Sequence, residues 1–185
     1  MLGIITARLL RRHEQLTGES ADWLRKMSRV APKAFRRFLL FVPMSRLVDR
    51  VPPEAHAAAR IAAMLAEDCG PCLQTTVTLL EHAGIEPRLL RAALRGDTAA
   101  MEEKTRTAYL FAAHVVAKDP GSEELRRLIE QWWGKAGTIE LALAIASGHV
   151  YPAVKRAMGY AQACQGVTVA GEVTLIDSSA PLLYT

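Results

Sequence analysis

The residues best suited to chemistry form one hexapeptide, Glu67-Asp68-Cys69-Gly70-Pro71-Cys72. Two thiols separated by two residues can close a small disulfide ring, and Gly-Pro between them supplies a tight turn from one helix into the next. Proline is tolerated in a helix only in its first turn, so Pro71 places both sulfurs there. The unpaired amides and positive end of a helix favour thiolate, drawing a cysteine below its usual pKa of about 8.5. Glu67 and Asp68 oppose that shift as adjacent carboxylates, unless one of them accepts the proton that activates the nucleophile. A redox-active dithiol is the reading these residues favour.

Two plainer readings compete with it. The pair can be buried and inert, or it can be half of a zinc site completed by Cys164 and one of His13, His56, His82, His114 or His149. With no second C-x-x-C and no H-x-x-x-H in the chain, zinc is the lesser reading and no metal is expected. Three cysteines do not suit a secreted disulfide framework, and Cys164 reads as an unpaired small apolar residue. His114 and His149 lie on long helical stretches and read as satisfied interior histidines, with Gly148 letting another backbone approach. Trp132-Trp133 reads as the seal of a helix end or a subunit interface.

The elements that must position the pair are helices. Apolar residues recur at spacings of three and four through most of the chain, and strand-like alternation appears only near the C-terminus. Ser20 is a candidate cap for a helix to about Val30, and a second helix from Pro32 carries Phe35, Phe38 and Leu39 as far as Pro43. Pro53 opens the Ala-rich segment Glu54 to Glu67, which leads directly to Cys69. After the cysteines a helix runs from Leu73 to His82, stops at Ala83-Gly84, and is followed by a short helix from Pro87 to about Arg95. Thr98 is the expected cap of a long helix through Lys118, ended by Asp119-Pro120-Gly121. A helix from Glu123 to Trp133, a turn over Gly134 to Gly137, and a last helix capped by Thr138 complete the series. The expectation is all-α, with a basic helical extension over residues 1–45 packed on the core, a helical domain over 46–164, and a tail over 165–185 that is extended or disordered.

Composition bounds the rest. With 185 residues, half of them apolar, the chain can bury one sizeable core. Its longest apolar runs, such as Phe38 to Val42 and Leu141 to Ala146, fall short of the roughly 20 residues a membrane span requires. Arginines follow the apolar start of the chain rather than precede it, which suits a secretory signal poorly, so a cytoplasmic location and no membrane partner are expected. Residues 1–60 hold 12 Lys+Arg against 5 Asp+Glu, and the remainder holds 11 against 14. Without interleaved aromatics, that basic front reads as a solvated face or a complement to an acidic partner, not as a nucleic-acid site. No glycine-rich nucleotide signature is present, so neither flavin nor nicotinamide, nor any other cofactor, is expected.

The run Glu67-Asp68-Cys69-Gly70-Pro71-Cys72-Leu73-Gln74 between two helices, then Ala83-Gly84-Ile85 and Pro87, resembles the alkylhydroperoxidase D-like branch of the carboxymuconolactone decarboxylase superfamily. The resemblance extends through Thr105 to Lys118, with its Asp119-Pro120 ending, and Ile139 to Tyr160, covering roughly residues 45–162. It implies an all-α alkylhydroperoxidase D-like bundle assembled as a dimer, trimer or hexamer. It implies a Cys69/Cys72 pair that cycles between dithiol and disulfide while reducing a small hydroperoxide, reset by a dithiol reductant or a reduced carrier protein. The family's motif adds a histidine four residues after the second cysteine and a glutamate about three helical turns before the first. Here those places hold Thr76 and Ala57, with His56 and Glu54 beside the latter. Thr76 shares a helical face with Cys72 but is no base near neutral pH. His56 can serve if its helix lies beside the cysteine turn, and Glu67 is close in sequence. Cys69, Cys72, Glu67, His56 and Thr76 are therefore the candidate catalytic residues. The alternatives are a non-catalytic helical oligomer using the pair as a staple or redox sensor and, last, a carboxymuconolactone-type decarboxylase.

Overall fold

Alanine content marks the helix around which the others gather. The computed structural model describes residues 2–163 and 166–176 of the chain. Its helices are α1 (Leu2–Thr17), α2 (Asp22–Val30), α3 (Pro32–Phe38), α4 (Phe41–Met44), α5 (Pro53–Leu65), α6 (Gly70–His82), α7 (Pro87–Arg95), α8 (Glu103–Ala117) and α9 (Ser122–Ala157). Helix α5 starts on Pro53, whose fixed φ suits a first position, and every residue from Ala55 to Met64 is buried. A helix buried all round needs small side chains where neighbours cross it, and Ala58, Ala59, Ala62 and Ala63 let α8 and α9 pack closely on it. Ile61 and Met64 supply its larger payload, each worth about 1.5–3 kcal/mol when fully buried.

Helix α9 crosses α5 at Gly148, where a Cβ would stand 2.9 Å from the Ala63 Cβ. Local sequence signals locate the break in this helix at Gly134 and overstate its length. The expected turn over Gly134–Gly137 shrinks to Gly134 alone (φ 68°, ψ −179°), which kinks α9 into two helical stretches, and Gly137 and Thr138 lie inside the second stretch rather than before it. Packing explains the early restart: Gly137 is buried, and a Cβ there would stand 2.4 Å from the Trp133 Cβ. Thr98 likewise caps no long helix. It opens a single 3-10 turn over Thr98–Ala100, and α8 begins at Glu103. Ser20 accepts a hydrogen bond from the Asp22 amide at 3.1 Å, one residue ahead of the Ala21 cap position.

The basic front of the chain lies over α6 and α9. Helix α1 packs on α6, and the edge-to-face rings Trp23–Phe38 and Phe38–Tyr151, each pair 5.6 Å apart, run from α2 through α3 to α9. At the other end, the alternating segment forms an antiparallel hairpin of β1 (Gly166–Val169) and β2 (Glu172–Leu175), which the all-α expectation does not include. Ala170 and Gly171 both take positive φ, the geometry of the two-residue turn that matches strand twist. The Gln74 amide docks the hairpin on α6 by bonding both the N–H (2.8 Å) and the C=O (3.0 Å) of Thr168. Cys164 and residues 177–185 lie outside the described residues. Among the described residues, no helix is long and apolar enough to cross a membrane.

Candidate functional site

The cysteine turn joins α5 to α6. Asp68 takes a left-handed φ of 43°, which reverses the chain after α5 and is tolerated by an aspartate. Cys69 occupies the N-cap position of α6 in extended geometry, Gly70 and Pro71 open the first turn, and Cys72 follows. Pro71 is where a proline costs α6 no hydrogen bond. The Cys69 carbonyl accepts from the amides of Cys72 (3.1 Å) and Leu73 (3.0 Å), while the Gly70 amide donates to the Gln162 carbonyl at 3.0 Å. The C-terminal segment thus ties down the start of the helix that carries both sulfurs. Cys69 and Cys72 stand at disulfide distance with their Cα atoms 5.3 Å apart. Both are buried, at 1% and 5% exposure.

Glu67 does not point idly away from the turn. Its Oε1 lies 2.6 Å from His149 Nδ1 and its Oε2 accepts from Arg156 Nη1 at 2.9 Å. Arg156 also donates to the Glu67 carbonyl. Burial alone would raise the Glu67 carboxyl, but the hydrogen bonds from His149 and Arg156 outweigh it and hold the carboxyl below its ordinary range. An ionised carboxylate only accepts, so His149 Nδ1 carries the hydrogen and Nε2 is the ring nitrogen left for proton exchange. His149 and Arg156 sit seven residues apart on one face of α9.

Thr76 is buried one turn beyond Cys72 and donates to Met64 Sδ at 3.3 Å, which places the C-terminal end of α5 against α6. His56 is elsewhere. It lies eight residues before Met64, about 12 Å along α5, and the groups acting on it are Arg60, Glu140 and the Leu47 carbonyl. Its pKa is pushed down to about 4, first by burial and then by Arg60, so it is a neutral side chain of the bundle interior. Four of the five candidates, Glu67, Cys69, Cys72 and Thr76, therefore gather at the α5–α6 junction, and His56 does not join them.

A cavity of about 290 Å³ opens beside Cys72 and Thr76. Leu10, Trp23 and Phe38 of the N-terminal helices line it, as do Arg60 and Met64 of α5 and Tyr151 and Lys155 of α9. Neither the cavity nor the His149–Arg156 pair is foreseen by sequence reasoning. Gly148 is the one local signal of the second, since it marks where α9 comes close to another backbone. Among the described residues, no three of His, Cys, Asp and Glu are grouped to hold a metal ion. Comparisons with protein-family models, curated proteins and solved structures find no match to this chain.

Proposed function

We propose that the chain is a thiol-dependent oxidoreductase that reduces hydroperoxides through Cys69 and Cys72, in the manner of the alkylhydroperoxidase D-like proteins it resembles. The observation that supports this reading is the placement of the two sulfurs at disulfide distance at the N-terminus of α6, with Cys72 lining a cavity. In the dithiol state, the Cys72 thiolate attacks the outer oxygen of ROOH. The O–O bond breaks, Cys72 becomes a sulfenic acid, and the departing alkoxide takes a proton to leave as ROH. The Cys69 sulfur then attacks Cys72 Sγ, forming the S–S bond and releasing water. An external dithiol or reduced carrier protein restores both thiols and is itself oxidised to a disulfide. His149, held by Glu67 through Nδ1, supplies at Nε2 the proton exchange that the cycle needs, a role the family's motif gives to residues absent here.

A second reading rests on the burial of both cysteines: the pair serves as a staple or a redox sensor of a non-catalytic helical oligomer. Hydroperoxide consumption by the purified chain with excess dithiothreitol separates the two. Steady turnover that is lost in both Cys69→Ser and Cys72→Ser supports the peroxidase. A disulfide that forms without turnover rejects it in favour of the staple or sensor.

A further inference from the structure

The cavity beside Cys72 has a charge pattern that the redox chemistry does not use. Its walls are largely apolar, yet the cations Arg46, Arg60 and Lys155 line it and no aspartate or glutamate does. Arg60 carries the argument. It is 9% exposed, its Nη1 reaches only the Ser45 carbonyl at 3.3 Å, and its Nε has no hydrogen-bond partner. The ionisable groups that act on it are Tyr151 and Arg46, not a carboxylate. A guanidinium has five donors in a planar fork and keeps its charge when buried, so a site that leaves it unpaired is built for an anion from outside. The carboxylates near the other cations are engaged elsewhere or weakly placed: Glu14 is held by Arg25, and Glu19 faces Lys155 from outside the lining.

We propose that this cavity binds an amphipathic carboxylate, with its head group on Arg60 and its hydrocarbon chain among Leu10, Trp23 and Phe38. At about 290 Å³ the space lies near the lower end of the roughly 300–1,000 Å³ of small-molecule sites, which fits a chain of medium length. Resting on the peroxidase reading, the proposal further names the substrate class as hydroperoxides of carboxylic acids, whose reacting oxygen lies along the chain that passes Cys72. Binding itself requires no redox step, and the N-terminal extension gains a purpose as the apolar wall of the site.

The test is calorimetric titration of the full chain in its disulfide form with decanoate, decanol and decyltrimethylammonium, each below its micelle concentration. One decanoate per chain is expected, with the alcohol at least about tenfold weaker and the cation without measurable binding. Arg60→Met should erase the preference for the anion and Arg60→Lys should retain part of it, while Arg126→Met, outside the lining, should leave binding unchanged. Equal binding of the three amphiphiles, several molecules per chain, or no binding of decanoate overturns the proposal. The comparison on the unaltered chain decides even if Arg60→Met fails to fold. Because no hydroperoxide is present, a negative result here leaves the peroxidase reading standing, and absent turnover leaves this one standing.

Discussion

His149 Nδ1 stands 2.6 Å from Glu67 Oε1, joining α9 to the residue two positions ahead of Cys69. Contact between residues 82 apart in sequence turns an acidic neighbour of the thiols into half of a carboxylate–histidine pair. Unpaired, Glu67 would only raise the thiol pKa; paired, its charge is spent on His149 and Arg156. His149→Gln should therefore lower hydroperoxide turnover by about 10²-fold, a typical share for a positioned acid–base group. The fold should survive, because the pair is partly exposed and such contacts contribute at most about 1 kcal/mol. Turnover against pH and a urea melt on the same preparation check both halves, and undiminished turnover removes His149 from the cycle.

How much of this site is legible in the sequence follows from the range of each interaction. The cysteine turn is local, so Pro71 places Cys72 in the first turn of α6, with Cys69 one step earlier at its N-cap. Helical periodicity is also local, and most helix positions follow from it. The Glu67–His149 contact and the cavity walls are set by how α5, α6 and α9 pack, which no single stretch encodes. Gly134 stops the helix where its local signal says, whereas the cap signal at Thr138 fails because the second stretch already includes the buried Gly137, packed against Trp133. His56 misleads in a third way, because an alanine-rich helix gives no sign of which turn meets the cysteines.

Cys69→Ser and Cys72→Ser should each abolish reversible disulfide formation, since the two sulfurs are each other's partners. Cys164→Ser should leave it intact. Alkylation of free thiols before and after peroxide treatment, read by mass spectrometry, gives the answer. Loss of the disulfide in Cys164→Ser would mean that the pairing is wrong.

Gly148→Ala should destabilise the chain by about 1–3 kcal/mol, the usual cost of overpacking. The added Cβ would meet the Ala63 Cβ at 2.9 Å and the Met64 amide nitrogen at 3.3 Å, and neither is the movable end of a long side chain. Relief requires α9 to move away from α5, which carries His149 away from Glu67. A lower urea midpoint together with reduced turnover is expected. A midpoint equal to that of the unaltered chain would show that the two helices have slack at this crossing.

Stability should fall as the pH drops from about 6.5 towards 4, and His56 should be one cause. Burial, then Arg60, pushes its pKa down to about 4 from an ordinary 6.5, so in that window the unfolded chain binds the extra proton and folding is disfavoured. The stabilisation is complete above about pH 6.5 and is lost as pH falls through the folded value, with an upper bound on the order of 3 kcal/mol. His13, lowered chiefly by burial as well, adds a slope of the same sign, and Glu67 contributes only below its ordinary carboxyl range near 4.5. The measure is therefore the difference between the unaltered chain and His56→Gln in urea midpoint at pH 7, 6, 5 and 4.5. The variant should start less stable at pH 7, having lost a packed ring, and should lose less on acidification. Parallel slopes would show that His56 takes its proton over the same pH range folded as unfolded, contrary to its burial beside Arg60.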